Sequence, residues 1–138
     1  MRCALIDANV LIGFLDPSDT LHERSVEGLK AATGSLLTTW PAVAEAIHIL
    51  GRRGWKYQES LLAMIGDGTL LIAPLTEEDA PRLKTLMSKY RNRPMDLADA
   101  TLLRVAERDG IDTIVTLERD FRVYRAAGIG ALKILPKP

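Results

Sequence analysis

The sequence has a single cysteine, Cys3, in 138 residues, so no internal disulfide can form and a reducing compartment is expected. Two histidines, His22 and His48, are too few to point to a zinc site. No apolar run approaches the roughly 18 residues of a membrane span. A secretion signal would need a continuous apolar stretch near the N-terminus, and Asp7 and Asn9 interrupt the one that is there. These absences describe a cytoplasmic protein with no membrane partner. An excess of either charge is also missing: Lys+Arg number 18 and Asp+Glu number 18. That balance excludes binding to nucleic acid or anionic membrane by global charge alone, but not through a local basic face or a bridging cation. With no linker, internal repeat or low-complexity tract, the expectation is one domain over residues 1–138.

Apolar or β-branched runs at 3–6, 36–39, 70–73, 113–117 and 131–135 do not alternate with polar residues. Strands covered on both faces read this way, which predicts a central parallel sheet. The spacers read as helices over 22–32, 41–53, 55–65, 76–90 and 96–108. Residues 17–20 offer caps to the first, Pro41 opens the second, Thr76 caps the fourth, and Gly110 stops the last. Helices between strands predict a layered α/β fold with right-handed crossovers. The C-terminal Leu-Pro-Lys-Pro reads as a frayed end.

The chemistry lies in the carboxylates. Asp7 follows the first strand, and ligands in open α/β sheets bind at the carboxyl ends of strands, although Asp7 could simply cap the turn beginning at Asn9. Glu118 follows the fourth strand, two residues after the hydroxyl of Thr116; alone, it reads as a solvated acid paired with Arg119 or Arg122. Glu45 sits in the apolar run Ala42-Val43-Ala44-Glu45-Ala46-Ile47, which predicts a mostly buried carboxylate in need of a partner. Asp96 suits the N-cap of the helix that follows, placing Asp99 at its third position and on the face of Leu102, Leu103 and Ala106. Asp7, Glu45, Asp99 and Glu118 thus lack matching bases, and converging carboxylates repel unless a cation intervenes. Oxygen-only ligation suits Mg²⁺ or Mn²⁺ and points to metal-assisted phosphodiester hydrolysis.

Leu5-Ile6-Asp7-Ala8-Asn9-Val10-Leu11-Ile12 resembles the opening of PIN-domain nucleases. Glu45, Met95-Asp96-Leu97-Ala98-Asp99-Ala100 and the run from Thr113 to Phe121 resemble the segments bearing their other acids, in order along about residues 4–124. The length is similar to that of VapC-type toxins of toxin–antitoxin pairs. The resemblance implies a three-layer α/β sandwich with a five-stranded parallel sheet of order 3-2-1-4-5. It implies a Mg²⁺- or Mn²⁺-dependent endoribonuclease acting on RNA, a homodimer, held inactive by a cognate antitoxin. Asp7, Glu45, Asp99 and Glu118 would be the catalytic and metal-binding residues, and Asn9 would orient Asp7 by hydrogen bonding. Glu118 departs from the family, which places Asp there; Asp120 could substitute, or could stabilise the turn.

Arg52, Arg53 and Lys56, with Trp55 and Tyr57 among them, form a candidate RNA-binding cluster. Lys89, Arg91 and Arg93 precede the Asp96 helix, and Arg119, Arg122 and Arg125 follow the fourth strand. Two other readings compete. A catalytically weak or inactive PIN-like module would bind RNA or a protein partner, supported by the Glu118 departure. A phosphoacceptor domain would need a lysine after a late strand, but Lys133 lies within the fifth.

Overall fold

The five apolar runs form strands β1 (Cys3–Ile6), β2 (Ser35–Thr38), β3 (Leu70–Ile72), β4 (Thr113–Val115) and β5 (Lys133–Leu135) in a computed structural model that describes residues 2–138. Met1, the first residue of the expected domain, lies outside the described residues. The strands pair in parallel in the order β3-β2-β1-β4-β5 and are flanked by helices. Strand order reverses between β1 and β4, where open sheets of this kind leave a crevice at the strands' carboxyl ends. The strands are shorter than the apolar runs predict. Thr39 leaves the ladder to cap the next helix, Thr116 and Leu117 turn away after β4, and residues 131–132 stay outside β5.

The helices are α1 (Ala8–Leu15), α2 (His22–Ala31), α3 (Trp40–Gly51), α4 (Trp55–Gly66), α5 (Ala80–Lys89) and α6 (Leu97–Asp109). Helix α1 is absent from the predicted spacers because its sequence has no polar face to reveal a period. Ala8, Val10, Leu11, Ile12 and Gly13 are all buried in it. Residues 17–20 do not cap α2: its N-cap is Leu21, whose side chain makes no capping bond. Asp19 instead accepts the Leu21 N–H at 2.8 Å and ends the preceding turn. Thr76 caps a 3-10 turn, Glu77–Asp79, that leads into α5, and Asp79 completes a capping box. Pro41 is second rather than first in α3, behind the Thr39 cap.

The core is built around Leu5, Ile6, Leu50, Leu102, Leu103 and Ile114, all fully buried, each contributing about 1.5–3 kcal/mol. Ion pairs fix α6, which bears Asp99. Arg82 grips Glu107 through Nε and Nη2 at 2.6 and 2.9 Å, and Asp79 accepts from Arg104 at 2.9 Å and Arg108 at 3.2 Å, fastening α5 to α6. The tail is pinned rather than frayed. Leu135 and Pro136 are buried, Arg24 Nη2 donates to the Lys137 carbonyl at 3.1 Å, and a Cβ on Gly28 would come within 2.8 Å of the Pro136 ring. Gly110, at φ 69°, closes α6 in the left-handed conformation its position predicts. No helix among the described residues is long and apolar enough to cross a membrane.

Candidate functional site

The sheet brings the ends of β1 and β4 together. The Leu5–Ile114 and Ile6–Val115 register continues into a 3.0 Å bond from the Asp7 N–H to the Val115 carbonyl. Asp7 is therefore alongside Thr116, whose hydroxyl donates to Asp7 Oδ2 at 2.7 Å. The same hydroxyl accepts the Glu118 N–H at 3.0 Å, so one oxygen hitches both acids to the edge of the sheet. Asp7 also caps α1 as the plainer reading predicts, with Oδ1 accepting the Ala8 N–H at 2.8 Å.

Helix α6 supplies the third carboxylate. Asp96 caps it and accepts the Asp99 N–H at 2.8 Å, so Asp99 is the inward-facing third residue. The Tyr124 hydroxyl donates to Asp99 Oδ2 at 3.1 Å. Tyr124 is fully buried, wedged between Phe121 and Tyr90 with ring centroids 5.0 and 4.9 Å away. Sequence reasoning missed Tyr124. The one available signal was an aromatic in the loop after β4, and nothing in its spacing ties it to Asp99.

Oxygens of Asp7, Asp99 and Glu118 all lie within 4.8 Å of one another, the one group of this kind among the described residues. Asp7 and Asp99 are buried, 2% and 5% exposed, while Glu118 opens to solvent. None of the three takes part in an ion pair among the described residues. The electrostatic consequence is large. Burial, then the neighbouring Glu118 and Glu45 charges, push Asp7 up to about 7 against the pull of Thr116 and Ala8. Burial, together with Asp7, Asp96 and Glu118, pushes Asp99 up to about 8. Burial and the Asp96 and Asp120 charges raise Glu118. Such a pocket of converging hard oxygens, with every carboxyl pushed up by burial and by its neighbours, suits a divalent ion of the Mg²⁺ type. Asn9 Oδ1, two residues beyond Asp7, is a further buried acceptor without a partner.

The other predicted residues fall elsewhere. Glu45 is exposed, not buried: the core-facing stripe of α3 is Ala42, Val43, Ala46 and Leu50, and Glu45 lies beside it. It stands at the rim, its pKa raised by partial burial and by Asp96 and Glu118. Asn9 makes no hydrogen bond to Asp7, whose two oxygens already hold Ala8 and Thr116. Asp120 turns to Arg93 at 3.3 Å and stays outside the three-acid group, so Glu118 is the acid that converges after β4.

The basic cluster is at the wrong end for this site. Arg53 bridges Asp16 and Asp19 at 2.8 and 2.7 Å, pinning the loop after α1, and Arg52 Nη2 sits 3.1 Å from His48 Nε2. Asp16 ends α1, a helix of 8 residues, so the cluster is removed from Asp7 by about 12 Å of helix. Lys56 is exposed beside the Tyr57 ring. A cavity of about 1050 Å³ opens at the opposite edge of the sheet, among Arg2, Cys3, Asp109 and Asp112, where no three acids converge.

The family model of the PIN domain matches residues 4–127. Over 134 residues the chain is 24% identical to Ribonuclease VapC26 of Mycobacterium tuberculosis (strain ATCC 25618 / H37Rv), covering 96% of this chain and 99% of that protein. Its fold is similar to that of M. tuberculosis VapC20, described as a sarcin–ricin loop cleaving toxin, with a TM-score of 0.81 at 17% identity over 94% of this chain and 98% of the other. A chain of a toxin–antitoxin complex from Klebsiella pneumoniae is similar at a TM-score of 0.67 and 21% identity, covering 96% and 95%.

Proposed function

The chain belongs to the PIN-domain family, and from that premise we propose that residues 1–138 form one metal-dependent endoribonuclease, the toxin of a toxin–antitoxin pair, which hydrolyses RNA phosphodiester bonds. The observation that carries this reading is the convergence of Asp7, Asp99 and Glu118 with no cationic side chain to offset them. The relatives support it, one being a ribonuclease and another a chain from a toxin–antitoxin complex. Asp7, Asp99 and Glu118 would hold Mg²⁺ or Mn²⁺. When bound, the ion would supply Lewis-acid activation of water and would offset charge on the transferring phosphoryl group. Glu45, at the rim beside Asp96 and Glu118, would accept a proton from the attacking water in this reading. Asp96 caps α6 and fixes Asp99, while Thr116 and Tyr124 hold the other faces of Asp7 and Asp99. Glu118 joins the group despite its departure from Asp, which removes the main support for a non-catalytic module. The same reading takes a cognate antitoxin as protein partner, a homodimer as assembly and the cytoplasm as location.

The direct test incubates purified protein with ribosomal RNA and tRNA. Cleavage is expected with Mg²⁺ or Mn²⁺, to stop with a chelator and to return with added Mn²⁺; cleavage indifferent to chelation would overturn the reading. Tyr124→Phe separates positioning from packing, because it keeps the ring and removes only the hydroxyl. Loss of a partner that orients a metal ligand costs about 10–100-fold in metal affinity or activity. Mn²⁺ titration calorimetry should show weakening of that order with an unchanged melting temperature; full metal affinity would show that the Tyr124 hydroxyl does not position Asp99.

A further inference from the structure

The chain has two tryptophans, Trp40 and Trp55, and each opens a helix with more than half its surface in water, 55% and 62% exposed. An exposed indole offers a broad, flat apolar face, and its position decides what that face can meet. The two stand at opposite ends of α3. The β1–β2 register pairs Leu5 with Leu37, and Thr38 Oγ1 donates to the Ile6 carbonyl at 2.7 Å. Thr38 ends β2 as Ile6 ends β1, so Thr39 and then Trp40 follow at the same edge of the sheet as Asp7. Thr39 is anchored from the other side as well, by a 2.8 Å bond between its hydroxyl and that of Thr101, two residues beyond Asp99. Trp40 therefore directly follows residues fastened at the acid edge to β1 and to α6. Trp55 lies beyond the far end of α3, whose 12 residues span about 18 Å.

We infer that Trp40 is a stacking platform for an unpaired base of the RNA strand beside the scissile phosphate. This rests on the nuclease reading above. Stacking on an indole tolerates any base, because every base has a π face. Arg119 and Arg122, exposed just after Glu118 and free of ion pairs among the described residues, supply backbone contacts that the neutral chain as a whole cannot. Leu97, half exposed at the first position of α6, extends the apolar surface at this end. Carboxylates placed for phosphodiester hydrolysis and flanking arginines together favour nucleic acid over a protein as the occupant.

The two tryptophans make the test. Trp55→Phe leaves Trp40 as the sole indole, and Trp40→Phe leaves Trp55. Each is combined with Asp7→Asn to keep the strand intact and titrated with a short single-stranded oligoadenylate, following intrinsic fluorescence. Anisotropy of the labelled strand reports binding independently. The expected result is quenching of Trp40 and not of Trp55. Affinity should fall roughly 5- to 150-fold in Trp40→Ala, with little change in Trp55→Ala. Quenching of Trp55 alone, or unchanged affinity in Trp40→Ala, overturns the inference. So does a Trp40→Ala variant altered only in self-association, which would make the indole a protein contact. If the wild type cleaves RNA and Trp40 is silent, the platform fails and the nuclease reading stands. If no form binds or cleaves RNA, both fail together.

Discussion

Asp7→Asn is expected to abolish RNA cleavage while making the metal-free protein harder to unfold. The two effects come from the same carboxylate. Substituting residues that merely orient metal ligands costs 10–100-fold, so losing a direct ligand should cost at least about a hundredfold in kcat/KM. In the absence of metal, however, Asp7 is a buried charge beside other acids, raised from 3.8 to about 7. A shift of that size corresponds to roughly 4 kcal/mol against the ionised form above neutral pH. Asparagine has nearly the same shape and can still accept the Ala8 N–H, but carries no charge. Part of that penalty should be relieved, about 2–3 kcal/mol, or roughly 5–10 °C in Tm at pH 8. Calorimetric melts beside cleavage assays decide the point. A variant that is inactive and also melts earlier would show that the Asp7 charge does not destabilise the metal-free protein.

The second large effect concerns pH and metal together. An acid whose folded-state pKa is raised keeps a proton that the unfolded chain has already released, so stability falls as pH rises between the two values. For Asp7 and Asp99 the contribution is complete below about 3.8 and is lost as pH passes about 7 and about 8. The ion-paired acids act in the opposite sense. Asp79, held down by the Thr76 N–H and Arg104, and Glu107, held down against burial by Arg82, stabilise above the ordinary carboxylate range and lose that contribution in acid. The metal-free protein should therefore be most stable in mildly acid solution and weaken towards pH 8. A divalent ion competes with the protons on Asp7 and Asp99, so its stabilisation grows with pH. Mn²⁺ at a hundred times its Kd should add about 2.7 kcal/mol at pH 8, several degrees in Tm, and far less at pH 5.5. Equal shifts at both pH values, or a full shift in Asp7→Asn, would show that the ion binds elsewhere.

The parts of this architecture legible in the sequence are those with local causes. Uniformly apolar runs gave away the parallel strands, and the spacing of Asp96, Asp99 and Gly110 marked both ends of α6. Helix α1 was hidden because burial on nearly every side erases the periodicity that identifies a helix. Glu45 misled because an apolar neighbourhood in sequence is not burial in space. A turn of 100° per residue carries it off the stripe that Ala42, Val43 and Ala46 present to the core. The role of Tyr124 depends on how a loop folds back 25 positions to Asp99, and Arg53 reaches Asp16 across 37. No local pattern encodes such pairings; they follow from the order of the strands.

Asp7 and the Thr116 hydroxyl that holds it are separated by 109 positions. Synthesis proceeds from the N-terminus, so Asp7 leaves the ribosome long before Thr116, Glu118 and Tyr124 have been added. A partly made chain carries isolated acids and nothing that gathers them. The acid cluster is thus completed only after the last strands have emerged.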